Sequence, residues 1–219
     1  LEEKGVGFDV GVAKVPIVQA DVIFELTVGD ATVRPDRAMG YNACQSATKT
    51  FAAEGALGAG CGATVGKMLG MEQCSPGGVG TASIKIGDAV IGALTVVNAL
   101  GEIVDDKGDI LAGVKNPDGD GFIPSLEVLR NSVGGVGFDA GNTTIAVVAT
   151  NAKLTRESAT KVAQMAQDGF ARSIRPAHTM HDGDIIFALS TGVVETDVNI
   201  VGAFAAEIVA ESVRRAVKL

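Results

Sequence analysis

Apolar positions along this chain follow two rhythms, and the boundaries between them outline the predicted elements. Residues 21–28 alternate after Ile23 and are rich in β-branched side chains, which predicts a strand. Pro35 and Asp36 open a helical stretch through about Ala56, where Ala43, Ala47, Phe51 and Ala52 share one face and glycines end it. Residues 83–86 and 89–98 predict two strands turned by Gly87 and Asp88, and the second run, apolar on both faces, belongs inside a layered core. Residues 101–137 gather Asp, Gly, Asn and Pro and read as a long exposed connection. From Thr143 the order is strand, a helix over about 156–172 capped by Thr155, a strand over 184–189 and a helix over about 201–217. Leu1 to Gly5 read as a helix end with its glycine stop, so residues are expected upstream. Helices flanking strands buried on two faces imply stacked sheets with helical outer layers, in one domain over 1–219.

Composition narrows the function classes. The chain has 219 residues, 47% hydrophobic but only 4% aromatic, with 29 glycines, so its core is built from Val, Ile, Leu and Ala in close layers. A formal charge of −8 provides no basic stripe for phosphates and argues against a nucleic-acid partner. Cys44, Cys61 and Cys74 form no C-x-x-C pair, which suggests neither a disulfide framework nor a zinc site and fits a cytoplasmic setting. No run reaches the ~20 apolar residues of a membrane span.

The chemistry concentrates at Gly141-Asn142-Thr143-Thr144, followed at once by the apolar run Ile145 to Thr150. A small, flexible pair before a hydroxyl residue at the mouth of a buried strand suits a chain that cleaves itself and exposes an N-terminal nucleophile. Threonine is a weak nucleophile, but its own α-amine, with an ordinary pKa of about 7.7 to 8.0, can serve as its base once the Asn142–Thr143 bond is cut. The plainer reading of the same residues is a polar turn entering a core strand.

Four further groups stand out. The loop from Gly58 to Lys67 is glycine-rich, but Cys61 and Met68 stand where a phosphate loop needs Gly and Ser or Thr, and it follows a helix. Its better use is a tight turn that lets backbone approach a reacting group and projects Lys67 toward it. Asn116, Asp118, Asp120, Gly121 and Glu127 keep a calcium-loop spacing, but no amphipathic helix precedes them and Pro117 stiffens the loop, so a solvated connector is expected. His178, His181, Asp182 and Asp184 have the residue types of a metal site or a surface turn, while the carboxylates Asp182 and Asp184, two apart at the mouth of a strand, could instead orient an ammonium group. Asn98 ends an apolar strand, where its carboxamide serves either as a donor to an oxyanion or as a cap of the next turn.

Together, Gly60 to Lys67, Val97-Asn98, Gly141-Asn142-Thr143-Thr144 with Val147 to Thr150, and His181-Asp182-Gly183-Asp184 resemble the self-processing family of L-aminopeptidase/D-Ala-esterase/amidases, β-aminopeptidases and nylon-oligomer hydrolases. The resemblance runs over nearly the whole chain, and family precursors carry an N-terminal segment beyond it. It implies an α+β fold, a four-layer αββα sandwich like the N-terminal nucleophile hydrolases but differently connected. It also implies cleavage between Asn142 and Thr143 into an α part, 1–142, and a β part, 143–219, with Thr143 the nucleophile. By the same resemblance Asn98 stabilises an oxyanion, Lys67 lies near the nucleophile, and Asp182 and Asp184 are the carboxylate pair of the nylon-hydrolase branch. A site tyrosine falls near Phe24, which lacks the hydroxyl. The implied protein hydrolyses small peptides or amide oligomers without a metal or organic cofactor, as a homo-oligomer of αβ units, a tetramer by resemblance. An acyltransferase like the ornithine acetyltransferases, and a binding protein of the same fold that never cleaves, remain the alternatives.

Overall fold

The computed structural model describes residues 1–50, 52–132 and 141–218. Near its start β1 (Phe8–Asp9) pairs with β2 (Lys14–Val15), and α1 (Arg37–Gln45) follows, its first turn capped by the Asp36 carboxylate on the Met39 N–H. A short pair, β3 (Thr64–Val65) and β4 (Ser75–Pro76), leads into the main hairpin of β5 (Gly78–Ile86) and β6 (Ala89–Asn98). Next come β7 (Glu102–Val104), β8 (Ile110–Ala112), β9 (Val114–Lys115), β10 (Phe122–Ile123) and α2 (Ser125–Asn131). The last third alternates β11 (Thr143–Ala152), α3 (Arg156–Ser173), β12 (Ile174–Arg175), β13 (Ile185–Val194) and α4 (Val198–Ala216).

The main sheet has four strands in the order β13-β11-β6-β5, with β11 parallel to β13 and antiparallel to β6. Side chains alternate across a strand, and β11 does so without a fault: Thr144, Ala146, Val148 and Thr150 are buried, while Thr143, Ile145, Val147 and Ala149 are only partly covered. The buried face packs on α3 and α4 through Ile91, Ala93, Val97, Ala146, Val148, Ile186, Phe170, Val201, Val209 and Val213. In α3 the buried positions Val162, Ala166, Gly169, Phe170 and Ser173 recur at helical spacing, and the Thr155 hydroxyl caps its first turn. Small residues set how closely the layers approach: a methyl at Gly169 would stand 2.6 Å from the Ala206 carbonyl, and one at Gly80 would run into the Ser212 carbonyl. The Thr95 and Ser212 hydroxyls, both buried between sheet and helix, satisfy each other at 2.6 Å.

Several expectations need correction. Residues 21–28 form no strand; among the described residues nothing pairs with them, and the segment instead holds the Asn98 amide through the Phe24 carbonyl and the Gly62 N–H through Glu25. Alternation marks a two-sided segment, but a strand also needs a free sheet edge beside it. Helix α1 stops at Gln45, well short of Ala56. The Ser46 hydroxyl turns back onto the Asn42 carbonyl and the Thr48 and Thr50 hydroxyls bond each other, local contacts that compete with helix. Phe51 lies outside the described residues. Strand β6 is not buried on both faces throughout, since Val90 and Leu94 are 42% and 40% exposed.

Residues 101–132 are not an exposed connection, and 133–137 lie outside the described residues. Ile103, Val104 and Val114 are fully buried, β12-β7-β8 make a three-stranded sheet, and Met68, Leu100, Val114 and Val128 form a second small core. The polar clusters are its turns: the Asp105 carboxylate accepts the Lys107 and Asp109 N–H groups, and Asn116 accepts that of Asp118.

Gly80→Ala tests the contact between β5 and α4. The added methyl meets backbone that cannot swing aside, so the variant is expected to lose at least about 1–3 kcal/mol in urea unfolding. An unchanged midpoint would mean that the layers separate freely there.

Candidate active site

Strand β11 brings three distant segments together at its first residue. Thr143 lies opposite Asn98 at the end of β6, and on its other side Asn142 bridges Asp182 just ahead of β13. Thr143 is on the open face of the sheet, not the helical one, because its period matches Ile145 and Val147.

The Asn98 carboxamide is buried, and its orientation follows from its neighbours. Its Oδ1 accepts the Thr64 N–H at 3.0 Å and the Lys67 ammonium at 2.8 Å, while its Nδ2 donates to the carbonyls of Phe24 and Gly141, each at 3.3 Å. Two donors face the oxygen and two acceptors face the nitrogen, so the reversed amide would meet like with like. Asn98 therefore does not cap the turn that follows it. A cation on Oδ1 also polarises the amide and makes its N–H groups stronger donors.

Lys67 reaches Asn98 because its loop is pinned. The N–H groups of Gly66 and Lys67 bond the carbonyls of Gly101 and Leu100, and Gly66 takes a φ of 70° where an added methyl would overlap the Gly113 and Val114 backbone. The ammonium also donates to the Asn98 carbonyl at 3.1 Å. Burial lowers its pKa from 10.5 to about 8, opposed in part by the charges of Cys74 and Asp182. The tight, glycine-rich turn that projects Lys67 is thus present; Gly58–Gly60 is a single turn of 3-10 helix.

Asp182 and Asp184 are both held by backbone donors. Asp184 Oδ1 accepts the Thr144 N–H at 2.9 Å, and its Oδ2 faces the His178 N–H at 3.3 Å and Nδ1 at 3.0 Å. Burial raises the Asp184 pKa, and the Asp182 charge adds to the rise against the opposing hydrogen bonds and His178. His178 has a φ of 56°, uncommon outside glycine, and its two contacts with Asp184 hold it there. Asp182 accepts the Leu100 N–H at 3.3 Å and the Thr179 hydroxyl at 2.6 Å. Among the described residues no three His, Cys, Asp or Glu side chains group as metal ligands, and Asn116 to Glu127 belong to the β9–β10 hairpin and α2.

The scissile carbonyl expected from the sequence, that of Asn142, lies among these groups. The Thr143 hydroxyl donates to it at 2.6 Å and the Gly183 N–H at 2.7 Å. Thr64 and Gly183 act through backbone N–H groups and leave no side-chain signal, so the sequence did not reveal them.

A model of peptidase family S58 matches residues 9–218. The chain belongs to peptidase family S58. Among S58 relatives, a protein of Mycobacterium leprae (strain TN) named as an uncharacterized aminopeptidase is 42% identical over 210 residues, 88% of this chain and 54% of its own length. A 6-aminohexanoate-oligomer endohydrolase of Paenarthrobacter ureafaciens is 32% identical over 187 residues, 83% of this chain and 52% of its own. The solved β-aminopeptidase of a Burkholderia species superposes with a TM-score of 0.56 at 25% identity, over 82% of this chain and 50% of that one. The L-aminopeptidase D-Ala-esterase/amidase of Ochrobactrum anthropi, described as a variant of the Ntn hydrolase fold, has a TM-score of 0.55 at 22% identity and supports the fold alone, over 82% of this chain and 48% of its own. The S58 chain thus has the mixed α+β fold of these neighbours and spans about half the length of the relatives it matches. No described helix is long and apolar enough to cross a membrane.

The buried ammonium makes a pH prediction. The unfolded chain binds a proton at Lys67 up to about pH 10.5 while the folded one releases it near 8, so stability rises with pH between those values. Urea unfolding of wild type and Lys67→Met from pH 7 to 10.5 should show the difference moving toward wild type by up to roughly 3 kcal/mol. A difference that stays flat would place Lys67 in water.

Proposed function

We propose that this S58 chain carries the catalytic centre of a self-processing amidohydrolase that cleaves small peptides or amide oligomers through an acyl-enzyme on Thr143. The observation that carries the reading is the register of β11, which sets Thr143 opposite Asn98 with its hydroxyl 2.6 Å from the Asn142 carbonyl oxygen. Self-cleavage at Asn142–Thr143 would divide the chain into 1–142 and 143–219 and free the Thr143 amine.

In turnover that amine takes the hydroxyl proton as Oγ attacks the substrate carbonyl. The Asn98 amide, polarised by Lys67, donates to the oxyanion, and the protonated amine then delivers its proton to the leaving amine. Water hydrolyses the ester and restores Thr143. Asp184, on the N–H of Thr144, and Asp182, on that of Leu100, fix the backbone on either side of the nucleophile and set a negative field that favours its ammonium; Lys67 opposes that field. These steps require no metal or organic cofactor.

Amide oligomers belong in the substrate class because the relatives named 6-aminohexanoate-oligomer endohydrolases share 29–32% identity over most of this chain. The four-layer αββα arrangement is part of the same proposal. The open face of the sheet, with Ile145, Val147, Leu94 and a 47% exposed Leu189, is the surface on which a second sheet would stack. Assembly into a homo-oligomer of αβ units and a cytoplasmic location rest on the resemblance and on the cysteine pattern.

Thr143→Ala removes both the group that attacks Asn142 and the later nucleophile. The variant is expected to keep one uncut mass and to show no amidase activity, whereas wild type splits at Asn142–Thr143. Two fragments divided at that bond in the variant would overturn the assignment.

A further inference from the structure

Self-cleavage needs a donor on the carbonyl that is attacked, and the groups with assigned roles do not supply one. Asn98 Nδ2 donates to the carbonyls of Phe24 and Gly141, one residue short of the scissile bond, and its Oδ1 is taken by Thr64 and Lys67. The carboxylates of Asp182 and Asp184 accept, and an acceptor cannot stabilise an oxyanion. On the Asn142 carbonyl oxygen sit the Thr143 hydroxyl itself and the Gly183 N–H, 2.7 Å away.

We propose that the backbone N–H of Gly183 is the oxyanion donor of the self-cleavage step, so that this step and substrate turnover draw on different main donors. The inference rests on the reading of Thr143 as a self-released nucleophile. In the step, a bond forms from Thr143 Oγ to the Asn142 carbonyl carbon and the carbonyl π electrons move onto oxygen, facing the Gly183 N–H. The hydroxyl proton passes to the Thr143 nitrogen and the C–N bond breaks, leaving an Asn142 ester and a free amine. Water then hydrolyses the ester to the Asn142 carboxylate and the Thr143 hydroxyl.

Three features make this N–H more than the last rung of a ladder. The bridge between Asn142 and Asp182 is isolated, standing ahead of the continuous β11–β13 pairing that starts at Ile145 and Ile185. The donor is held from both sides, since Asp182 and Asp184 each accept backbone N–H groups from other segments, Leu100 and Thr144. Position 183 also favours glycine: a methyl there would stand 2.9 Å from Thr143 Oγ1 and press on the attacking atom, while the N–H serves the attacked carbonyl. A preorganised donor of this kind is worth more than a solvent hydrogen bond because it is already aimed before charge develops.

The test replaces Gly183 by glycolic acid through nonsense suppression, which turns its amide into an ester and deletes the N–H alone. The readout is the rate at which purified unbroken chain splits, followed by intact mass, with circular dichroism and the unfolding midpoint to establish the fold. Splitting is expected to slow by about 100- to 1,000-fold, the usual scale for one oxyanion donor. A folded ester variant that splits within a few-fold of wild type overturns the proposal. Gly183→Ala supplies a second measurement if the ester chain does not fold: the methyl meets Thr143 Oγ1, so residue 183 has to draw back and take its N–H from the Asn142 carbonyl, and splitting slows at least tenfold in a folded protein. Splitting at the wild-type rate there also overturns it. Wild-type chain that never splits at Asn142–Thr143 would instead remove the function on which the inference rests.

Discussion

The pairing of β11 between β6 and β13 is the constraint on which the site depends. It is an inner strand of the four-stranded sheet, hydrogen-bonded on both sides, and its register puts Thr143 opposite Asn98 and Asn142 beside Asp182. A strand turns over with every residue, so a slip of one position would carry Thr143 to the helical face and expose Ala146 and Val148. The core forbids it. Burial of the Ala146, Val148 and Thr150 side holds the register, and the register aims the hydroxyl.

Around that strand end the structure keeps Lys67, Asn98 and the Asp184 side chain buried and Asp182 half-buried, and these four are satisfied in particular ways. Lys67 donates to both oxygens of Asn98, Asp184 accepts from Thr144 and His178, and Asp182 accepts from Leu100 and Thr179. Burial works against charge on both Lys67 and Asp184, lowering the pKa of the one and raising that of the other. Buried charge is costly and apolar side chains of similar size often do as well or better for stability, so this arrangement fits a site shaped by chemistry.

The sequence was most legible where one segment settles its own conformation. The turn of the β5–β6 hairpin, β6, the strand from Thr143, the Thr155-capped helix and the last helix stand within a few residues of where their periods placed them, while β5 begins at Gly78, five residues before the expected strand. Residues 21–28 failed because alternation carries no information about an available sheet edge, and α1 ran short because Ser46, Thr48 and Thr50 satisfy themselves locally. Residues 101–132 misled in the other direction: their Asp and Asn turns are so dense that the short buried strands between them carried no visible period. Thr143, Asn98, Lys67, Asp182 and Asp184 could be singled out as candidates because their side chains carry the chemistry, and the strand ends bring them to one end of the sheet. The donors Thr64 and Gly183 were not, because a main-chain N–H looks the same in every residue.

N-terminal sequencing of protein taken at intervals after synthesis, with amidase activity measured on each sample, tests the central claim most directly. Activity should rise in proportion to the fraction of chains showing a second N-terminus, Thr143-Thr144-Ile145-Ala146, because the base exists only after the cut. Full activity in chains still joined at Asn142–Thr143 would contradict it.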